Sequence, residues 1–226
     1  MGTGHYLLLG GGDLAREVVA VLQERAAADG ALCAVAVYDD HPDNIAACFE
    51  SVCLSPKEAL QKCPPGLWLA LNCVGDPAAR ASLWGRFREL GYRFATVCSP
   101  TATCYTQSLG EGCVVFAGAR LAVGCRLGRD VVVNFNAVVG HDAVIGDHSV
   151  ISPGAQLGGR IDGKERVLYG IGCCVLQGKT IGEGSVIAAG SSVWTDVPPG
   201  ETVVGVPAVA RRIPGRRHDY AEGGRG

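Results

Sequence analysis

Large side chains are scarce in this chain: its 226 residues hold three Trp, five Phe, six Tyr and one Met, so aromatics make up only 6% of a sequence that is 48% hydrophobic. That excludes a core organised around packed rings and leaves small and branched aliphatic side chains to fill the interior, which suits thin stacked layers. Net charge is nearly absent as well, at -2 with an isoelectric point near 6.2, so there is no electrostatic footprint for nucleic acid or an anionic membrane. No apolar run approaches the roughly 18 to 20 residues of a membrane span, and no basic stretch followed by an apolar one opens the chain. The expectation is a soluble, cytoplasmic protein with no nucleic-acid and no membrane partner. Eleven cysteines are present, an odd number, but the Cys-x-x-Cys spacing of a zinc site is missing. That predicts no metal and no disulfide framework, in keeping with a reducing compartment.

Glycine, by contrast, reaches 33 residues, and the pattern around it divides the chain into two halves. In the first, short apolar runs alternate with helical stretches, as in a small parallel α/β unit. Residues 6–9 read as a strand, 10–12 as a tight turn, and 14–25 as a helix with Leu14, Val18, Val19 and Leu22 on one face. A second strand over 33–38 runs into Asp39 and Asp40. Another, over 67–74, precedes Asp76-Pro77, an N-cap followed by proline in the first helical turn, and the last spans 94–97.

From Leu109 the period becomes six and holds to Val193, with Gly163 and Tyr169 alone breaking a series of inward aliphatics that includes Val115, Leu121, Val139, Ile151 and Ile187. The residue after the aliphatic is often glycine (Gly110, Gly128, Gly140, Gly146, Gly158), which suits a chain that must turn repeatedly. Four places after it comes a small residue, a position taken by Cys113, Cys125 and Cys173, which therefore read as buried filler rather than reactive thiols. A sustained hexapeptide repeat is the mark of a β-helix, since an α-helix needs a period near 3.6 and a plain strand a period of two. The reading is α/β plus all-β: a Rossmann-like unit over 1–100, a left-handed parallel β-helix over 101–213, and an Arg- and Gly-rich disordered tail over 214–226.

With this register in place the sequence resembles the left-handed β-helix acyltransferases, and more narrowly the group containing sialic acid O-acetyltransferases and UDP-amino-sugar N-acetyltransferases. The resemblance runs from Leu7 to Ile213. It is carried by the glycine turn Gly10-Gly11-Gly12 followed by Ala15-Arg16-Glu17-Val18, the pair Asp39-Asp40, Gly75-Asp76 with Arg80, Val139-Gly140-His141-Asp142, Ser152-Pro153-Gly154-Ala155, and Gly205-Val206-Pro207-Ala208. It implies transfer of an acetyl group from acetyl-CoA to an amino sugar linked to a nucleotide, by a homotrimer whose acetyl-CoA groove lies between neighbouring β-helices.

Acetyl transfer needs a base for the proton shed by the attacking amine and donors for the charge on the carbonyl oxygen. His141 is the histidine placed to serve, at a surface turn two residues after an inward aliphatic, and its imidazole ordinarily titrates near pH 6.5. Asp142 is positioned to orient it. His148, seven residues on, reads as a surface residue. The resemblance implies contacts with acetyl-CoA at Val150, Gly159, Ile171 and Ala189, although relatives often carry histidine at the position of Val150. Gly159 also reads simply as a turn glycine. For the nucleotide sugar it implies Gly10, Gly11, Gly12, Asp13, Leu14, Asp39, Asp40 and Gly75, with backbone N–H groups at the glycine turn facing phosphate. Asp13 and Leu14 depart from the Gly-His common in relatives, and a carboxylate beside a pyrophosphate repels it unless it points away. O-acetylation of a sialic-acid-like sugar and a non-catalytic binding or assembly role stand as the alternatives. A zinc enzyme on this scaffold would need several histidines in the repeats, whereas His5, His41 and His218 lie outside them.

Overall fold

The computed structural model describes residues 4–30, 33–41, 45–49 and 53–211, so the tail expectation for 214–226 lies outside the described residues. The first unit is a parallel sheet in the order β3-β2-β1-β4-β5, formed by β1 (Gly4–Leu9), β2 (Cys33–Tyr38), β3 (Cys53–Leu54), β4 (Leu69–Asn72) and β5 (Arg93–Phe94). Helices α1 (Asp13–Asp29), α2 (Pro56–Lys62) and α3 (Pro77–Glu89) connect them. The Asp76 side chain caps α3, accepting from the N–H groups of Ala78 and Ala79. The strand order reverses between β1 and β4, and in such sheets ligands sit beyond the carboxyl ends of the strands at that switch. The segments that follow β1, β2 and β4 carry Gly10 to Leu14, Asp39-Asp40 and Gly75.

The strand expected over 94–97 is two strands in different sheets. Phe94 pairs with Ala70 in the α/β sheet, whereas Val97–Cys98 already pairs with Val114–Val115 of the β-helix. The chain changes unit within these few residues, and the step is too short to register in hydrophobicity.

Beyond it, two-residue strands stack into three faces. Through the regular coils each pairs with the strand eighteen positions on: Val132 with Val150, Val150 with Leu168, Val138 with Gln156, and Val144 with Asp162. Three hexapeptides thus close one coil, and every sixth side chain enters a continuous core that runs from Cys113 to Val203. Cys113, Cys125 and Cys173 are fully buried in it, and burial pushes their thiols up to about 12, 11 and 12 respectively, so they are inert filler.

The two residues that break the aliphatic series compensate each other. Tyr169 is wholly buried and its hydroxyl lies where a Cβ on Gly163 would be. A ring too large for its own position occupies the space left by a missing side chain in the hexapeptide before.

The glycines after the inward aliphatics have a different role from the one their turn position suggested. Gly110, Gly128, Gly140, Gly146 and Gly158 do not have positive φ. They are needed because the next coil passes too close for any side chain: a Cβ on Gly140 would come within 2.5 Å of the Gly158 backbone. The left-handed residue of each corner comes two places later, at Gly124, Asp130, Asn136, Asp142, His148 and Gly154 among others, which fits the tolerance of Gly, Asn and Asp for that region.

Candidate active site

His141 and Asp142 sit on the corner between two faces of the β-helix. That corner is stacked coil on coil by backbone bonds from Asp142 N to Val123 O (3.1 Å), Arg160 N to His141 O (2.7 Å) and Gly178 N to Gly159 O (2.9 Å). Asp142 is left-handed, with φ 58°, and its carboxylate folds back over Gly124 of the preceding coil, where a Cβ would collide with Oδ1. The imidazole of His141 leans the other way, over Gly159 of the following coil. A Cβ there would lie inside van der Waals contact of Nε2, Cδ2 and Cε1. The ring covers Gly159 yet remains about half exposed, at 51%.

His141 Nδ1 and Asp142 Oδ2 are 2.9 Å apart. A carboxylate only accepts, so Nδ1–H donates, and in the neutral ring the lone pair is on Nε2, the ring atom nearest to Gly159. An open groove of about 510 Å³ runs along the same corner, from Gly158 and Gly159 past Val175, Leu176 and Gln177 to Lys179 and Trp194. Its apolar walls, single ammonium group and half-exposed indole (Trp194, 50%) form a concave, largely apolar site with few polar anchors, the usual make-up of a small-molecule site. The sequence reading missed Gly124, Lys179 and Trp194. Counting eighteen residues back from Asp142 would have found Gly124, and counting on from His141 leads to Gly159 and Gln177.

The other expected contacts with acetyl-CoA lie elsewhere. Ile171 and Ala189 stack on a different corner, Gly190 N donating to Ile171 O at 2.8 Å, and both are exposed. Val150 is 6% exposed and packs in the apolar seam between the two units, with Val132, Phe116, Leu22 and Val18. An aliphatic there joins the units, which accounts for the lack of a histidine. His148, expected at the surface, is a correction. It is buried, with Nδ1 3.0 Å from Asp130 Oδ2.

In the α/β unit, Gly10 (φ 103°) and Gly11 form a buried turn. A Cβ on Gly10 would press on Val74, and one on Gly11 on Val37 and Ile45. Asp39 ties the turn down, accepting from Gly11 N (2.8 Å) through one carboxylate oxygen and from His41 N (2.8 Å) through the other. Gly11 N–H is thereby engaged by protein. Asp40 pairs with Arg86 (2.7 Å) and accepts from the Tyr38 hydroxyl. Burial raises its carboxyl, but those hydrogen bonds outweigh it and hold Asp40 below the ordinary value. Burial and the bond to Asp40 push the Tyr38 hydroxyl up to about 12. Gly12 caps α1 without a side chain, Asp13 points out to solvent (side chain 90% exposed) beside Arg16, Leu14 is half-buried, and Gly75 is exposed. Asp13 therefore leaves the turn itself uncrowded. Among the described residues no cluster of His, Cys, Asp and Glu is arranged to hold a metal, and no helix is long and apolar enough to cross a membrane.

Comparison with known proteins adds the following. Residues 124–159, which include the His141 corner, match the family described as bacterial transferase hexapeptide (six repeats). The acetyltransferase domain of PglB from Neisseria gonorrhoeae is similar in structure over 92% of this chain and 99% of its own, with 29% identity and a TM-score of 0.80. A mutant of perosamine N-acetyltransferase from Caulobacter crescentus, in complex with CoA and GDP-perosamine, is similar over 93% of this chain and 98% of its own, with 28% identity and a TM-score of 0.79. A 2,3,4,5-tetrahydropyridine-2,6-dicarboxylate N-acetyltransferase of Clostridium perfringens is 51% identical over 45 residues, 20% of this chain and 19% of that enzyme. The matched segments take in 27% or less of the curated relatives' lengths.

Proposed function

Since the chain is a hexapeptide-repeat β-helix protein whose homologues by sequence and structure are acetyltransferases, we propose that it moves an acetyl group from acetyl-CoA to the amine of a nucleotide-linked sugar, with His141 as general base. The observation that carries this reading is the His141–Asp142 pair, seated between two glycine gaps, with the imidazole over Gly159, which lines an apolar groove. Nε2 takes the proton that the amine sheds as its nitrogen bonds to the thioester carbonyl carbon, and that proton is then available to the departing sulfur. Asp142 holds the ring orientation and stabilises the imidazolium between the two transfers. Asp142 and Gly159 contribute by fixing the ring in place, which lowers the entropic cost of reaching the reactive geometry.

Residues 97–211 would hold acetyl-CoA, and the α/β unit would hold the nucleotide sugar at the carboxyl ends of β1, β2 and β4. Structural neighbours in complex with acetyl coenzyme A and with CoA plus GDP-perosamine support the two classes of ligand, and the place of the nucleotide sugar follows from the strand-order reversal between β1 and β4. Ile171 and Ala189 lie on another corner from His141, so they reach the same donor only if a second copy brings that corner alongside. This favours a cyclic trimer with one groove between each pair of β-helices.

A thiol-release assay with acetyl-CoA and a panel of UDP-, GDP- and dTDP-linked amino sugars tests the reading, with a sialic-acid-type hydroxyl acceptor in parallel. Release that requires the amine is expected. Release only with the hydroxyl acceptor moves the activity to O-acetylation, and no release together with no acetyl-CoA binding by calorimetry refutes an enzymatic role.

A further inference from the structure

Helix α3 meets the β-helix through residues four apart on one of its faces. Arg80 reaches Asp130, Trp84 lies where a Cβ on Gly112 would be and meets the His148 ring edge-on at 5.8 Å, and Arg88 pairs with Glu111 at 2.9 Å. Gly112, Asp130 and His148 are the left-handed residues of one corner in three successive coils. Arg80 is wholly buried. It donates to Asn72 O (3.0 Å) and Val74 O (2.8 Å) on one side and to Asp130 O (3.0 Å) and Asp130 Oδ1 (2.5 Å) on the other. Asn72 Nδ2 donates to Asp130 Oδ2 (3.0 Å), and His148 Nδ1–H donates to that same oxygen (3.0 Å). His148 belongs to the coil that carries His141. An unbroken chain of bonds therefore runs from the backbone just before Gly75, through Arg80 and Asp130, into the coil of the candidate base.

We propose that Arg80 and His148 are positioning residues, which lock the loop at Gly75 in the sugar-holding unit to the coil of His141 so that the amine and the imidazole keep a fixed separation. This rests on the acetyl-transfer reading above. A buried, fully hydrogen-bonded charge pair adds little net stability but strongly disfavours any other arrangement of its partners. A loop released from such a lock loses alignment, and a misplacement of about 1 Å costs on the order of a hundredfold in rate.

The test compares Arg80→Lys, His148→Leu and His148→Asn in the full chain; asparagine keeps an N–H donor where the imidazole Nδ1 stood. The first two variants are expected to lower kcat for the amino sugar by about tenfold or more with KM for acetyl-CoA unchanged. They should also speed amide exchange over residues 73–76 by about tenfold while residues 186–193 keep their protection. His148→Asn is expected to restore both. Should Arg80→Lys fail to fold, the two His148 variants decide the matter. Folded His148→Leu with wild-type kcat and wild-type exchange over 73–76 overturns the proposal, as does an equal loss in His148→Asn and His148→Leu. If the wild-type chain releases no thiol with any amino sugar, the acetyl-transfer reading fails on that result, and exchange over 73–76 alone decides whether the lock exists.

Discussion

A methyl group on Gly159 would overlap three atoms of the His141 ring, and one on Gly124 would overlap the Asp142 carboxylate. The two side chains of the site are thus placed by two side chains that are missing. Gly159→Ala should swing the imidazole out of line with the groove and cut turnover by about a hundredfold, while the melting temperature moves little because Gly159 has an ordinary, non-left-handed backbone. Steady-state thiol release beside a melting curve checks this, and unchanged turnover would show that the ring position is irrelevant. In the α/β unit, the Asp40 carboxyl is lowered from its ordinary 3.8 because the bonds from Arg86 and Tyr38 outweigh the effect of burial. A group held low when folded contributes stability above its unfolded value, and that contribution is lost as pH falls from about 3.8 through the folded value. Both partners are 40 to 45% exposed, so the effect is small and screened by salt. Asp40→Asn should flatten the acid limb of urea-midpoint against pH below about 4 at low ionic strength, and a limb identical to wild type would contradict this.

At the scale of the strand and the coil, the repeat was readable because a β-helix buries one side chain per hexapeptide whatever its neighbours do. The corner position of His141 was readable for the same reason, since it stands at a defined step from Val139. Contacts between coils were harder to read: they link residues eighteen apart, such as Gly124 with Asp142 and Asp130 with His148, and a scan at period six does not compare them. His148 reads from the sequence as a surface residue; Trp84 of α3 covers it, and no local pattern reports that covering. Gly163 and Tyr169 looked like two lapses in the series and are one compensated pair. Gly163→Ala should therefore cost about 1 to 3 kcal/mol by overpacking against the Tyr169 hydroxyl. That hydroxyl is buried without a hydrogen-bond partner, so Tyr169→Phe should be neutral or stabilise by about 1 kcal/mol. Urea titrations of both variants measure this, and a large loss in Tyr169→Phe would mean that the hydroxyl has a partner.

At the scale of the molecule, two units with separate cores are joined by an apolar seam containing Val150 and by the α3 contact through Arg80, Trp84 and Arg88. The residues proposed to hold the nucleotide sugar gather on one unit and the candidate base on the other, while Ile171 and Ala189 stand on a different corner from His141. A trimer is the expected state in sedimentation, with a stable and fully active monomer as the contrary result. The most direct test of the whole account is single-turnover acetyl transfer by His141→Asn beside the wild-type chain, at saturating acetyl-CoA and with the best nucleotide amino sugar from the panel. Loss of the base should slow transfer by about a hundredfold or more with acetyl-CoA affinity retained; transfer at near wild-type rate would contradict it.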